Sequence, residues 1–293
     1  MSHALVILNP TAGDQQLKNN SETIKLKLAQ KYDTVDLYHT KFRGDGAEYV
    51  KENARNADIV IGVGGDGTID ELVNALCALD QRPAFAIIPG GTCNDFSRAI
   101  GMSQKPLEAL DQILEGETKN VDIGWTNHQY FVNFWGVGLI TQVSENLDEN
   151  KTLGRLSYYL SSLQTFSETD SFHLKLQSKE RSFDGQAVML LVGNGPFTGG
   201  LKAFFPNCNL QDGLLDVLII KQSSLASFWS IFRSSVAQED RFDADDIVHF
   251  QTEALTVACR PEQKIDCDGE RNASTPSQIK ILPRFLTVHV GDF

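Results

Sequence analysis

The stretch Ile59-Val60-Ile61-Gly62-Val63-Gly64-Gly65-Asp66-Gly67-Thr68 decides the fold of this chain. Its first half is almost wholly apolar and β-branched, which is typical of a strand that helices cover on both faces. Its second half is a glycine-rich turn, and a helical pattern follows from about Ile69 to Ala78. A buried strand that leads through such a turn into a helix is the repeating unit of a parallel α/β sheet.

Strands and helices alternate on both sides of this unit. The first helix is expected to begin at Asn19 as N-cap, with Glu22 as its capping-box partner. The apolar strand before the glycine turn is predicted at 58–63. The other elements predicted for the first half of the chain are strands at 4–8, 35–38 and 84–88 and a helix at 45–56.

The pattern changes near Val121-Asp122. The later segments are short, rich in aromatic and β-branched residues, and separated by turn signals such as Asp184-Gly185 and Asp212-Gly213, which favours an antiparallel β domain. Helices are expected only around 153–166 and 225–236.

We therefore predict two domains. The first is a Rossmann-like α/β nucleotide-binding domain over residues 1–122, and residues 284–293 are candidates to return to it. The second is an antiparallel β-sandwich over residues 123–283.

Three glycine-bearing loops follow predicted parallel strands, at Asn9–Gly13, Gly64–Thr68 and Gly90–Asp95. Ligands of open α/β sheets bind at the carboxyl ends of the strands. Glycine lets main-chain amides approach phosphate oxygens, and the following helix N-terminus favours negative charge. The three loops together therefore predict a polyphosphate site.

Two of these loops carry an acid, Asp66 and Asp95. A carboxylate beside a triphosphate is repulsive unless a cation lies between them, so these acids indicate Mg²⁺ or tightly held water and hydroxyl groups. The structural alternatives are a turn residue for Asp66 and a helix cap for Asp95.

The formal net charge of −12 argues against nucleic-acid binding and against a general attraction to anionic membranes. No apolar run approaches the roughly 18 residues of a membrane helix. We expect a cytoplasmic protein with peripheral membrane contact through a local basic or apolar patch; a homodimer is also open. The basic candidates for the patch are Lys41, Arg43, Arg98, Lys151, Arg155 and Lys202.

The turn Gly64–Thr68, followed by Glu71, Val73 and Asn74, resembles the nucleotide-binding signature of the diacylglycerol kinase catalytic family. NAD kinases and phosphofructokinases share the Gly-Gly-Asp-Gly core. The segment Pro89–Arg98 favours the lipid kinases, whose second signature it closely matches.

The likeness continues along nearly the whole chain in the family's order. Asn9–Gly13 matches the opening motif, and Gly193–Gly200 with Asp212–Val217 is similar to the signature of the C-terminal domain. Asp268-Gly269-Glu270 resembles the family's terminal Asp-Gly-Glu.

The resemblance implies ATP and Mg²⁺ as cofactors, Glu270 as the general base and Asp66 as a second catalytic residue. It also implies a structural Mg²⁺ at Asp212, with backbone oxygens near Asn209 and Leu214. By resemblance, the nucleotide-site residues are Asn9, Pro10, Thr11, Ala12, Gly13, Thr40, Gly65, Asp66, Gly67, Thr68, Ile69, Asp70, Glu71 and Thr92. The glycine-loop pattern adds Asn94 and Asp95 as candidates for the same site.

The chain departs from the family at Asp70, where Asn is usual, and at Asp14-Gln15-Gln16, where lysines are frequent. The resulting hypothesis is a lipid kinase that converts diacylglycerol to phosphatidic acid. The alternatives are a non-catalytic nucleotide or lipid sensor of the same fold and a soluble-metabolite kinase of the NAD kinase type.

Overall fold

The computed structural model describes residues 1–12, 20–127, 129–141, 171–200, 202, 204–221 and 247–292. The chain divides into two compact units. Unit 1 comprises Met1–Ile123 and Arg284–Phe293, and unit 2 comprises Gly124–Pro283.

Unit 1 is a parallel sheet with helices. Its strands are β1 (His3–Leu8), β2 (Thr34–His39), β3 (Ile59–Gly64) and β4 (Ala84–Pro89), with parts of β5 (Thr118–Thr126) and of β15 (Ser277–His289). Its helices are α1 (Ser21–Leu28), α2 (Asp45–Asn53, continued by a 3₁₀ turn at Ala54–Asn56), α3 (Asp66–Cys77), α4 (Asp95–Ala99) and α5 (Pro106–Glu115).

The sheet order in unit 1 is β2-β1-β3-β4, all parallel, and β15 joins β4 in parallel at Val288 and Phe85. Every residue of β3 is buried, as are Ala4–Leu8 of β1. Burial on both faces explains why these strands are continuous apolar runs rather than alternating ones. The predicted α/β class of this half is confirmed.

Two helix starts differ from the predictions. Helix α3 begins at Asp66, three residues before the predicted start, so Asp66, Gly67 and Thr68 form part of its first turn. Helix α1 has Asn20 as its N-cap, without a side-chain capping bond. The predicted cap Asn19 lies outside the described residues.

Unit 2 is antiparallel. Its remaining strands are β6 (Tyr130–Phe131), β7 (Phe134–Gly138), β8 (Phe172–Ser178), β9 (Ser182–Gly193), β10 (Leu215–Lys221), β11 (Ile247–Thr252), β12 (Ala254–Arg260), β13 (Lys264–Cys267) and β14 (Glu270–Ser274).

Strand β9 organises this unit. It pairs with β8 along its first half and with both β7 and β10 along its second half. The order β14-β13-β7-β9-β8-β12-β15 follows, and β10 continues to β11. Burial alternates along β12, where Leu255 and Val257 enter the core and Thr256 is exposed. This period of two is that of a sheet buried on one face, and the predicted β class is confirmed.

One predicted turn of unit 2 is wrong. Asp184 and Gly185 lie inside β9, paired with Lys175 and Leu174 of β8. The chain reverses earlier, near Arg181, whose carbonyl oxygen accepts the Ser178 main-chain N–H. The helices predicted at 153–166 and 225–236 fall outside the described residues. Of the helices that the structure describes, none has the length and apolar character of a membrane span.

Candidate active site

Unit 1 brings four loops to one edge of its sheet, because parallel strands all end at the same side. Main-chain hydrogen bonds tie the loops to neighbouring strands: Thr40 donates to Leu8 at 2.9 Å, Asn9 to Val63 at 3.0 Å, and Gly90 to Gly64 at 2.8 Å. The three glycine-bearing loops of the sequence analysis thus meet where β1, β3 and β4 end, and the loop after β2 joins them.

Asn9 connects the loop after β1 to the loop after β3. Its Nδ2 donates to Thr68 Oγ1 at 2.9 Å, and its Oδ1 accepts from the main-chain N–H and the hydroxyl of Thr11. Ala12 closes the turn by donating its N–H to the Asn9 carbonyl. Both ends of the Asn9 amide are therefore used to shape the loop. The expected neighbour Gly13 is outside the described residues.

Gly65 and Gly91 touch each other through their main chains. A Cβ added to Gly91 would lie 2.7 Å from Gly65 Cα, closer than real Cβ atoms approach. Gly65 is also the N-cap of α3 and, having no side chain, cannot cap it. The first main-chain N–H groups of this twelve-residue helix therefore have no side-chain cap from Gly65. They lie at the sheet edge, and the N-terminus of a helix attracts anions.

The carboxylate of Asp66 binds main-chain amides of the next loop. Its Oδ2 accepts from Asn94 N–H at 2.9 Å and its Oδ1 accepts from Asp95 N–H at 2.7 Å. Asp66 thereby caps α4 across the edge. Each oxygen keeps a further lone pair, so the contact with a cation predicted for Asp66 stays a prediction.

Asn94 holds its loop in an unusual backbone conformation, with φ at 51°. Its Oδ1 accepts from Gly91 N–H, and its Nδ2 donates to the Gly91 carbonyl and to Gln104 Oε1. Asn tolerates the left-handed region better than most residues do. Asn94 and Asp95 are both buried, whereas Thr92 in the same loop is exposed.

Two acids of α3 that the resemblance assigned to the nucleotide bind other groups. The Glu71 carboxylate accepts from the N–H groups of Gly44 and Ala47, both at 2.9 Å, and so caps helix α2. Asp70 is buried and its Oδ1 accepts from Asn74 Nδ2 at 3.1 Å. The neighbouring Ile69 side chain is also buried. Nucleotide contact by these three residues stays a prediction.

Unit 2 presents Glu270 beside a two-residue hairpin turn. Asp268 and Gly269 both have positive φ, at 50° and 91°, and Cys267 pairs with Glu270 across the turn. Such a turn favours Asp-Gly in its two central positions. Glu270 is therefore the first residue of β14, half-buried, with Asn272 Nδ2 at 3.4 Å from its Oε2.

Asp268 fixes this hairpin to a neighbouring segment. Its carboxylate accepts from three successive main-chain N–H groups, those of Val132 at 2.6 Å, Asn133 at 3.1 Å and Phe134 at 2.8 Å. Gly269 N–H donates to Asp266 Oδ1 at 2.9 Å. The backbone on which Glu270 stands is thus held by two carboxylates.

The predicted magnesium turn precedes β10. Leu214 N–H donates to Asp212 Oδ1 at 2.9 Å, Gln211 N–H donates to Asn209 Oδ1 at 3.0 Å, and Gly213 has φ of 73°. A carboxylate and main-chain carbonyl oxygens are the ligands that a hard cation prefers, and a magnesium ion at this turn stays a prediction. Among the described residues, no three His, Cys, Asp or Glu side chains are grouped as metal ligands.

The sequence analysis did not identify three hydrogen-bonded acids. Asp122 is fully buried and accepts the Arg284 N–H at 2.7 Å. Asp216 accepts from His249 at 3.0 Å, and burial beside Asp216 raises the pKa of the Cys208 thiol well above its usual value. Asp45 accepts the Tyr38 hydroxyl at 2.8 Å. The only sequence signal for Asp122 and Asp216 is an acid inside an apolar strand.

Comparisons with known proteins cover both units. The family described as diacylglycerol kinase catalytic domain matches residues 3–126, and the family described as YegS C-terminal NAD kinase beta sandwich-like domain matches residues 135–290.

Individual relatives match over nearly their full length. A Bacillus subtilis protein named diacylglycerol kinase is 32% identical, with 98% of this chain and 96% of that protein covered. A Staphylococcus aureus protein provisionally named a lipid kinase is 28% identical, with 98% of each chain covered. The crystal structure of a Bacillus anthracis protein, provisionally named a diacylglycerol kinase, has a TM-score of 0.88 and 36% identity over 99% of this chain and 97% of that chain.

Proposed function

Because this chain belongs to the diacylglycerol kinase catalytic-domain family, we propose that it transfers the γ-phosphate of ATP to the hydroxyl group of a lipid. The resemblance to that family given by the sequence motifs is confirmed. Diacylglycerol, which would give phosphatidic acid, is the acceptor that we propose first. The observation that carries the proposal is the junction of loops at the edge of the parallel sheet, where Gly65 and Gly91 touch and α3 begins.

In the proposed nucleotide site the phosphates lie against main-chain amides. The contact between Gly65 and Gly91 leaves no Cβ atoms to block the approach of phosphate oxygens. The exposed Gly67 in the first turn of α3 and the exposed Thr92 offer further donors. Phosphoryl transfer asks the protein mainly for such positioning and charge neutralisation.

Asp66 and Asn9 keep this site in shape before a nucleotide binds. Asp66 fixes the two amides that begin α4, and Asn9 links the first loop to Thr68. A preorganised set of donors does not have to rearrange during the reaction. We propose that this is the contribution of both residues to the rate.

Glu270 is the proposed general base, which would take the proton of the lipid hydroxyl as that oxygen attacks the γ-phosphorus. The turn that carries Glu270 is held by Asp268, so the base stands on a fixed backbone. A positioned base contributes on the order of 10²–10⁴ in rate.

Magnesium is proposed as the second cofactor, and when bound it would neutralise phosphate charge. The Asp212 turn, with carbonyl oxygens near Asn209 and Leu214, is the proposed holder of a structural ion. Asp66 and Asp95 are the acids that we propose on the nucleotide side.

The test is transfer of radiolabelled phosphate from ATP and Mg²⁺ to lipids in mixed micelles, with diacylglycerol, monoacylglycerol, sphingosine, ceramide and a polyprenol as acceptors. Glu270→Gln should abolish the labelling. The matched control is Glu262→Gln, which neutralises an exposed acid of the same unit and should leave the labelling unchanged.

Three other outcomes point elsewhere. ATP binding without labelling of any lipid would support the sensor. Labelling of NAD instead of lipid would support the soluble-metabolite kinase. Equal lipid labelling by wild type and Glu270→Gln would remove Glu270 as the base and leave the lipid kinase standing.

A further inference from the structure

The side chain of Gln104, in the segment between α4 and α5, binds the loop that follows β4. Its Oε1 accepts from Asn94 Nδ2 at 3.1 Å. Its Nε2 donates to Ser97 Oγ at 3.1 Å and to the Met102 carbonyl at 3.0 Å. The Ser97 hydroxyl in turn donates to the Asn94 carbonyl at 3.0 Å. Gln104 therefore holds Asn94 directly at its side chain and, through Ser97, at its main chain.

These partners allow only one orientation of the Gln104 amide. A main-chain carbonyl can only accept hydrogen bonds, so the NH₂ group of Gln104 has to face Met102. The Gln104 Oε1 atom then faces Asn94, and only the NH₂ group of the Asn94 amide can donate to it. Turning either amide over would bring two acceptors or two donors together. Gln104 thus determines which way the Asn94 amide points.

Asn94, oriented in this way, fixes the main chain of its own loop. Its Oδ1 accepts from Gly91 N–H at 2.8 Å, and its Nδ2 also donates to the Gly91 carbonyl at 2.9 Å. On the other side, the N–H groups of Asn94 and Asp95 are bound by the Asp66 carboxylate. The loop is therefore held at both of its ends, and the Asn94 side chain supplies the first of these two attachments.

The exposed Thr92 lies between the two attachments. The preceding N–H groups are already used, since Gly90 donates to the Gly64 carbonyl and Gly91 donates to Asn94. The main-chain N–H of Thr92 has no acceptor within the part of the chain that the structure describes. A donor on a main chain that is held on both sides does not have to rearrange when it binds an anion. Thr92 N–H is thus available to a phosphate oxygen.

We propose that Gln104 is a positioning residue of the nucleotide site. It orients the Asn94 amide, and Asn94 holds the main chain from Gly91 to Thr92 in the geometry that receives a phosphate oxygen of ATP. Gln104 acts through Asn94 and does not have to touch the nucleotide. This rests on the proposed function, which places the phosphates of ATP against this loop.

The first experiment is a double-mutant cycle on ATP binding, measured by equilibrium dialysis with the full chain. Gln104→Leu should raise the Kd for ATP about tenfold, because it removes the acceptor of Asn94 and the donor to Ser97 and Met102. Asn94→Gly removes the side chain while glycine keeps the positive φ of this position accessible, and it should raise the Kd at least as much.

The double variant decides whether Gln104 acts through Asn94. In the Asn94→Gly background, Gln104→Leu should weaken ATP binding no further, because the group that it orients is already absent. Losses that multiply in the double variant would overturn the proposal, as would a wild-type Kd for Gln104→Leu.

Gln112→Leu is the matched control. Gln112 holds the same segment, since its Oε1 accepts from Ser103 N–H at 2.7 Å and its Nε2 donates to the Gly101 carbonyl at 3.4 Å. The variant should lower the midpoint of urea unfolding, as Gln104→Leu should, and still bind ATP as the wild type does. An equal loss of ATP affinity in Gln112→Leu would mean that any loosening of this segment weakens the site, which would overturn a specific role for Gln104.

Steady-state kinetics separate positioning from a loss of folded protein. Gln104→Leu should raise the KM for ATP by the same factor as the Kd, leave the KM for diacylglycerol unchanged and keep kcat within about twofold of the wild type. A variant that is only partly folded would lose kcat at an unchanged KM for ATP, because fewer molecules would be active. That result would overturn the proposal.

The proposed function can fail independently of this role. If the wild type binds ATP and labels no lipid, while Gln104→Leu binds ATP more weakly, the kinase proposal fails and the positioning role stands. If the wild type labels diacylglycerol and Gln104→Leu binds ATP equally well, the positioning role fails and the kinase proposal stands.

Discussion

The carboxylate of Asp66 accepts the main-chain N–H of Asp95 at 2.7 Å, so the first residue of α3 caps the first residue of α4. The Asp66 carboxylate therefore contacts the main chain of Asp95, as an acceptor of its N–H group. The amide of Asn94 donates to the other oxygen of the same carboxylate. A residue that the motif suggests for cation binding is therefore also a structural cap of the opposite loop.

Asp66→Asn should weaken both the fold and ATP binding. The substitution replaces one acceptor oxygen by an NH₂ group that faces a backbone N–H, and hydrogen bonds to charged acceptors contribute about 1.5–3 kcal/mol each. We expect a comparable loss in the free energy of urea unfolding and at least tenfold weaker ATP binding by calorimetry. Asp80→Asn, at an exposed acid of the same unit, should change neither. Unchanged stability of Asp66→Asn would contradict the capping role.

Gly91→Ala should disrupt the junction of the two glycine loops. The new Cβ would lie 2.7 Å from Gly65 Cα, so the two main chains would have to separate. We expect a loss of about 1–3 kcal/mol in the free energy of unfolding and weaker ATP binding. Gly185→Ala is the control, since its Cβ would meet only Phe183 ring atoms at 3.4 Å or more. Similar unfolding curves for the two variants would refute the close approach.

Asp268→Asn should destabilise unit 2, whereas Glu270→Gln should not. Asp268 is the shared acceptor of three main-chain N–H groups, and an Asn side chain offers them only one oxygen. We expect a loss of about 2–4 kcal/mol in urea unfolding. Glu270 lies two residues away and is half-buried, so its neutral variant should lose rate without losing stability. Equal stability of Asp268→Asn and the wild type would show that the anchor is not needed.

The stability of unit 1 should fall on mild acidification because of His289. This side chain is 5% exposed, and burial, with Lys31 nearby, lowers its pKa from 6.5 to about 4. Between these two values the unfolded chain takes up a proton that the folded chain refuses, so lowering the pH favours unfolding. The loss should reach on the order of 3 kcal/mol by pH 4.

Urea unfolding of the wild type and of His289→Leu from pH 7 to pH 4 measures this contribution as a difference in slope. The wild type should lose stability faster than the variant over this range. Parallel curves would mean that His289 is protonated in the folded state.

The sequence predicted β1, β3 and β4 well because almost all of their residues are buried, so each strand is a continuous apolar run. The predicted strand 58–63 differs from β3 by one residue at each end, since an apolar run before a glycine turn has few other interpretations. The turn predicted at Asp184-Gly185 was wrong because the prediction used only local sequence. Local turn preference is weak, and pairing with β8 along the whole of this segment outweighed it.

The sequence analysis predicted which loops carry the candidate site, but it did not predict the hydrogen-bond partners of the acids in those loops. Glycine spacing indicated which segments carry the site, whereas the partners of its acids are distant in sequence. Glu71 binds the amide of Gly44, 27 positions away, and Asp268 binds that of Val132, 136 positions away. A carboxylate that caps a remote helix or loop leaves no local signature, so these residues looked like ligands for a nucleotide or plain turn residues.

Strand β15 has a consequence for how the protein is made. Its residues beyond Pro283 belong to unit 1, where Val288 pairs with Phe85 and Asp292 donates its main-chain N–H to the carbonyl of Gly101. A ribosome releases residues 1–123 long before residues 284–292 exist, so unit 1 must wait for all of unit 2 to be translated before its sheet is complete. Expression of residues 1–123 alone would therefore yield a sheet with an open edge beside β4, and fragments meant to isolate this unit need the distant segment fused to them.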